Sequence, residues 1–201
     1  MVRPREFDPE QALDRAMRAF WAKGYEATSL DDLCEATDLS RSSLYAAYGD
    51  KRSLFLQTLD RYGDNAVARV SAALSRPEPV RKALEDFLAE MIEQIVSGFG
   101  RTGCFIGNCA AEVARHDRAA AAKINRNLDR IEAVFREGLE RAQNNDELSA
   151  ETDIGALARF FVASTQGLRL MGKANASRET LEDIARVMVQ SLNASGAHGQ
   201  E

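Results

Sequence analysis

The sequence predicts an all-α chain in two parts, a small N-terminal helix-turn-helix unit joined to a larger helical bundle. Apolar residues recur at helical spacing almost throughout, and no strand-like alternating run interrupts them. Capping residues and Gly or Pro breaks fall between these stretches, as they do at helix ends. Near the N-terminus two short helical stretches are separated only by Thr37-Asp38-Leu39, the spacing of a helix-turn-helix.

The first helix opens at Asp8-Pro9-Glu10-Gln11, where Asp8 can cap and Pro9 suits the first helical position. Leu13, Met17, Phe20 and Trp21 form its stripe, and Gly24 ends it. A second helix starts at Thr28-Ser29, with Asp31 and Asp32 where the dipole favours anions, and fades near Thr37. Ser40 caps a third, short helix that closes at Gly49. Asp50 caps a long fourth one, carrying Leu54, Phe55, Leu59 and Tyr62 to about Leu74. Pro77 and Pro79 mark the next break, followed by the wide apolar face Leu84, Phe87, Leu88, Met91, Ile92, Ile95 and Val96. After the Gly-rich stretch 98–103 come a short helix from about Phe105 to Ala114 and a long one opened by Asp117. Two last helices cover roughly Asp153 to Met171 and Ser177 to Leu192. The domain division expected is 1–52 for the helix-turn-helix, 53–195 for the bundle, and a flexible tail at 196–201.

Composition narrows the function. The 201 residues are 45% hydrophobic and 28% charged with a formal net charge of −5, so a protein that coats nucleic acid or membrane through bulk charge is excluded. The longest stretch without Asp, Glu, Lys or Arg, 187–200, is too short and polar to cross a bilayer, and no apolar run follows Arg3 and Arg5 as in a signal peptide. Three cysteines fit a reducing, cytoplasmic setting. No nucleophilic triad, phosphate loop or paired-carboxylate motif emerges, so neither an enzyme nor a cofactor is expected. Cys104, Cys109 and His116 match no standard zinc spacing, and no metal is expected.

Residues 1–60 hold eight basic and eleven acidic side chains, yet Ser40-Arg41-Ser42-Ser43-Leu44-Tyr45-Ala46-Ala47-Tyr48 holds no acid. A phosphate backbone can approach such a stretch. Arg41, Ser42 and Ser43 lie at the end of the helix that meets base edges, where Arg can bond guanine bidentately. Lys51 and the amides at the next helix start form a phosphate clamp.

Phe7-Asp8-Pro9 with Ala12-Leu13, the run Phe20-Trp21-Ala22-Lys23-Gly24-Tyr25-Glu26-Ala27-Thr28-Ser29-Leu30, Ser40 to Tyr45, Tyr48-Gly49-Asp50-Lys51 and Leu54-Phe55 together resemble the TetR/AcrR family of bacterial transcriptional regulators. The resemblance covers about the first third of the chain. It implies a homodimer that binds a palindromic double-stranded DNA operator and a C-terminal bundle that takes an unidentified small-molecule effector. It implies DNA contacts at Thr28, Arg41, Ser42, Ser43, Tyr45 and Lys51, with Tyr45 on a phosphate. Arg3 and Arg5 look like groove or phosphate contacts, or a disordered arm. The other reading is a helical small-molecule module that uses its C-terminal cavity and no DNA.

The motif from Arg101-Thr102-Gly103-Cys104 to Asn108, with Ala111-Glu112-Val113, resembles a subgroup in which some members are electrophile-responsive repressors and others metal-responsive. Cys104 follows Gly103 at an expected helix start, where backbone amides and the dipole stabilise a thiolate, so it is a candidate sensor thiol. Cys109 can resolve it only where the helix start frays, and the resemblance brings Lys173 to the same region. The alternative is a small buried core residue. For the dimer, the stripes Ile154, Leu157, Phe161, Leu168 and Leu181, Ile184, Met188, Leu192 are expected to form a four-helix seam, or else to seal the core of each chain.

Overall fold

A computed structural model describes residues 7–98 and 102–196, and all regular structure among them is helical. The helices are α1 Pro9–Lys23, α2 Leu30–Thr37, α3 Arg41–Tyr48, α4 Lys51–Leu74, α5 Val80–Val96, α6 Phe105–Glu112, α7 Arg118–Asn144, α8 Ile154–Lys173 and α9 Arg178–Gln190, followed by a 3-10 turn, Ser191–Gly196. Gly196, expected in a flexible tail, ends that turn, and residues 197–201 lie outside the described residues.

Local chemistry sets these starts. The Asp8 carboxylate accepts the Glu10 and Gln11 amides, and Ser29 and Asp32 form a reciprocal capping box. Ser40, Asp153 and Ser177 each accept an amide three residues on. Asp50 does the same for Ser53, at 2.7 Å. Each such cap is worth about 1 kcal/mol. Pro79 offers α5 no capping side chain, and Glu147 instead accepts the Val80 N–H at 2.5 Å.

The chain divides into two compact units, but not at residue 52. One unit holds the chain up to Asp64 together with Phe105–Asn125; the other holds Asn65–Cys104 and the residues from Arg126 on. Aromatic packing explains why α6 belongs with α1, α2, α3 and the first part of α4. Phe105 is almost fully buried, with its ring centroid 5.6 Å from Tyr62, 6.2 Å from Trp21 and 6.3 Å from Phe55. Phe20 and Tyr25 complete the cluster around Phe55, at 5.3 and 4.5 Å. Burying one such ring is worth about 1.5–3 kcal/mol.

In the second unit α5, α8 and α9 pack on one another around Leu88, Ile92, Ile95, Phe161, Leu168, Leu181 and Met188. Phe135 of α7 stacks on Phe161 at 5.6 Å. Gly172 permits a close approach of α8 to α5, because a Cβ there would lie 2.2 Å from the Ile95 Cγ2. These contacts correct the expected dimer seam. Ile154, Leu157, Phe161, Leu168, Leu181, Met188 and Leu192 are buried within the single chain, and only Ile184 is half-buried. The large apolar side chains exposed on these two helices are Phe160, Leu170, Met171 and Val187. α8 therefore has two apolar faces, and the one richer in large side chains closes the chain's own core.

Candidate nucleic-acid interface

α2 ends at Asp38, a left-handed residue with φ 57°, and Leu39 leads into the Ser40 cap of α3. The left-handed residue turns the chain sharply, and Asp tolerates it better than most side chains do. α3 buries Leu44 and Tyr48, and the Tyr48 hydroxyl donates to the Pro9 carbonyl at 2.6 Å, fastening α3 to the start of α1. Partial burial pushes the Tyr48 phenol up, so it remains a donor at neutral pH.

With those two side chains inside, Arg41, Ser42, Tyr45, Ala46 and Ala47 are left on the exposed side of α3, and Ser43 is half-buried. The Ser40 hydroxyl lies 2.9 Å from both the Ser42 and the Ser43 hydroxyls and caps the helix, so three hydroxyls gather at its N-terminus. The Arg41 guanidinium holds the Asp31 carboxylate, with Nη2 2.7 Å and Nε 3.3 Å from one oxygen. The hydrogen bond to Asp31 pushes the guanidinium pKa above the usual arginine value. Both partners are exposed, so the pair is weak and a nucleic-acid acceptor can replace the carboxylate.

Lys51 opens α4. Its ammonium stands 4.6 Å from the centre of the Tyr25 ring and donates to the Glu26 carbonyl at 3.4 Å. The amide part of the expected clamp is partly taken, because Asp50 accepts the Ser53 N–H. That hydrogen bond holds the Asp50 carboxyl below the usual range.

Thr28 is a correction. Its side chain is fully buried and its hydroxyl donates to the Gly24 carbonyl at 2.5 Å, so it ties the α1–α2 loop together and offers no free group to DNA. Arg3, Arg5 and Arg101 lie outside the described residues. Of the candidate sensor group, Cys104 is 7% and Cys109 2% exposed, whereas Lys173 lies exposed at the end of α8. Among the described residues no three His, Cys, Asp or Glu side chains converge as metal ligands, and no helix is long and apolar enough to cross a membrane.

Sequence reasoning missed three partners. Asp31 was read only as a dipole partner. Asp117 was read as a helix start, but it also receives a two-pronged hydrogen bond from Arg52 at 2.6 and 2.9 Å. That bond, with the Ala120 and Ala119 amides, holds its carboxyl at about 2. Glu112 was noted as a motif residue, and its carboxylate accepts the Tyr25 and Glu26 amides at 3.1 and 2.9 Å. Only the first pairing has a faint signal in residue type, an Arg and an Asp on adjoining helices; the other two join positions 65 or more residues apart and have none.

Residues 12–58 match the family model for bacterial regulatory proteins of the tetR family, and residues 82–188 match the tetracyclin repressor-like C-terminal domain. The second match alone spans more than half of the chain. The chain belongs to the TetR family. This TetR-family regulator is 36% identical over 194 residues to the HTH-type transcriptional regulator YezE of Bacillus subtilis, covering 96% of this chain and all of that one. It is 35% identical over 184 residues to the transcriptional repressor ComR of Escherichia coli, covering 91% and 88%. A cysteine mutant of the TetR family regulator CifR, complexed with 26-bp operator DNA, superposes with a TM-score of 0.83 at 30% identity, covering 94% of this chain and 99% of that one. The family is one of DNA-binding transcriptional regulators, not enzymes, and the model match over 12–58 sets aside a module that uses no DNA.

Proposed function

We propose that this TetR-family regulator is a cytoplasmic homodimeric repressor that binds a palindromic operator and leaves it when a small-molecule effector binds the second unit. The observation that carries the reading is the exposed side of α3. It presents Arg41, the serine hydroxyls and Tyr45 without one acidic residue, and the Lys51 ammonium stands at the start of the next helix. Arg41 reads a base edge, Tyr45 and Lys51 meet phosphates, and Ala46 and Ala47 allow close approach. The likeness to CifR, which was solved on operator DNA, supports DNA as the partner of this unit.

A two-fold dimer places two α3 helices about one helical turn of DNA, ~34–36 Å, or a multiple of it, apart. The second copy sits on the face of α8 and α9 that carries Phe160, Leu170, Met171 and Val187. A monomer would leave these four large apolar side chains in water. Both units contain part of α4, so a change in the second unit can alter the spacing of the α3 pair.

The effector can bind reversibly or react with Cys104. The observation favouring reaction is position: Gly103, at φ +77°, puts Cys104 immediately before the first turn of α6. Its near-complete burial favours packing. The test selects an operator with purified protein and follows release by candidate effectors, using wild type and Cys104→Ser. Affinity that ignores both sequence and salt would end the regulator reading. An unchanged response of the serine variant to a quinone or aldehyde would leave reversible binding alone.

A further inference from the structure

We propose that Glu112 is a positioning residue for operator binding: it latches the end of α6 to the loop between α1 and α2, and through that loop sets the phosphate clamp. The proposal rests on the DNA-binding reading above. Glu112 is the last residue of α6, and each of its carboxylate oxygens takes one backbone amide, Oε2 from Tyr25 and Oε1 from Glu26. The partners are 86 and 87 residues away in the chain. A carboxylate that accepts two converging amides is held in both position and direction.

The loop is shaped to receive this carboxylate. Gly24 stands at φ +86°, and a Cβ there would come within 2.9 Å of both Glu112 oxygens. The seat therefore needs glycine for its backbone angle and for space alike. From the seat, three contacts lead toward the DNA side. The Glu26 carbonyl accepts from the Lys51 ammonium, the Tyr25 ring lies under that ammonium, and the Gly24 carbonyl holds the Thr28 hydroxyl just before the Ser29 cap of α2. Both amides that Glu112 grips thus belong to the residues that steer Lys51.

Other ties hold α6 and the start of α7 in place, namely the Phe105 cluster and the Arg52–Asp117 pair. Removing the latch therefore leaves the unit folded. Whatever displaces α6 pulls on the loop, so Glu112 links the Gly-Cys motif at the front of this helix to the clamp.

The experiment is a double-mutant cycle on the full-length protein, titrated against its selected operator at several salt concentrations. Glu112→Gln keeps one acceptor but turns a donor toward the second amide. It should weaken binding about tenfold with little change in melting temperature. Lys51→Ala should weaken binding and lower the salt slope by about one, and in the Glu112→Gln background most of that effect should already be gone. Hydrogen exchange should quicken at the Tyr25 and Glu26 amides and not across the rest of the unit. If Glu112→Gln also lowers the melting temperature, Glu112→Asp, which keeps the charge but shortens the reach, repeats the cycle. Losses that multiply independently, or a variant that binds as wild type does, overturn the latch. Wild type without a sequence-dependent, salt-dependent affinity overturns the DNA reading instead.

Discussion

Helices α3 and α8 each bury one face and leave another in water, and the two exposed faces are chemically opposite. On α3 the exposed residues are Arg41, Ser42, Tyr45, Ala46 and Ala47, a cation and hydroxyls among small methyls. On α8 they include Phe160, Ala163, Leu170 and Met171, of which Leu170 is 65% exposed. Exposure alone says only that a partner is possible. The character of the face says which: acceptor-rich nucleic acid for α3, and another apolar surface for α8.

The sharpest way to break this comparison is to substitute the two faces of α8 separately. Leu168 is fully buried, and Leu168→Ala should cost about 2–5 kcal/mol of folding stability in thermal or urea melts. Phe160→Glu changes the exposed face, and it should leave the chain folded while light scattering reports monomers. Operator affinity should fall by at least about thirtyfold, the scale of a lost interface anchor. A Phe160→Glu protein that stays dimeric would move the seam to another surface.

The α3 side is tested more gently. Arg41→Ala should cost about 1–3 kcal/mol of discrimination at one base position and leave non-specific binding mostly intact. Asp31→Asn releases the guanidinium from its carboxylate and should raise affinity a few-fold at low salt, by roughly the small worth of an exposed pair. Equal losses on every sequence for Arg41→Ala would make Arg41 a phosphate contact and not a base reader.

The smallest effect concerns pH. Asp117 is held at about 2 in the folded chain against an ordinary 3.8. Its carboxylate, held by Arg52 and by the Ala119 and Ala120 amides, therefore stabilises the fold fully above about pH 4, and the contribution fades as pH falls toward 2. The stability gap between wild type and Asp117→Asn should close over that window. A gap that stays constant from pH 7 to pH 2 would remove the assignment.

Most of the helices were legible because their ends are local. Asp8, Ser29, Ser40, Asp50, Asp117, Asp153 and Ser177 each announce a start within three residues of the amide they cap, and all seven do so in the structure. The acid-free strip of α3 was legible for the same reason. What could not be read was non-local. The stripe of Leu157, Phe161 and Leu168 has the spacing of a dimer seam and of a core alike, and only packing against α5 and α9 assigns it to the core. Thr28 carries the family pattern, but the turn at Gly24 draws its hydroxyl inside. Glu112 meets its partners across 86 and 87 residues, a distance at which spacing rules are silent.

The unit that carries the helix-turn-helix is written in two pieces of the gene, with Asn65–Cys104 between them. On the ribosome its first piece is complete well before Phe105–Asn125 has been made. At about 5–20 residues per second the wait for Asn125 is roughly 3–12 s. Until then the rings of Trp21, Phe55 and Tyr62 lack the partner that Phe105 supplies in the folded chain. A fragment ending at Asp64 contains every expected DNA contact and still lacks the ring that completes its core. Translation thus withholds a finished DNA-binding unit until nearly two thirds of the chain has been made.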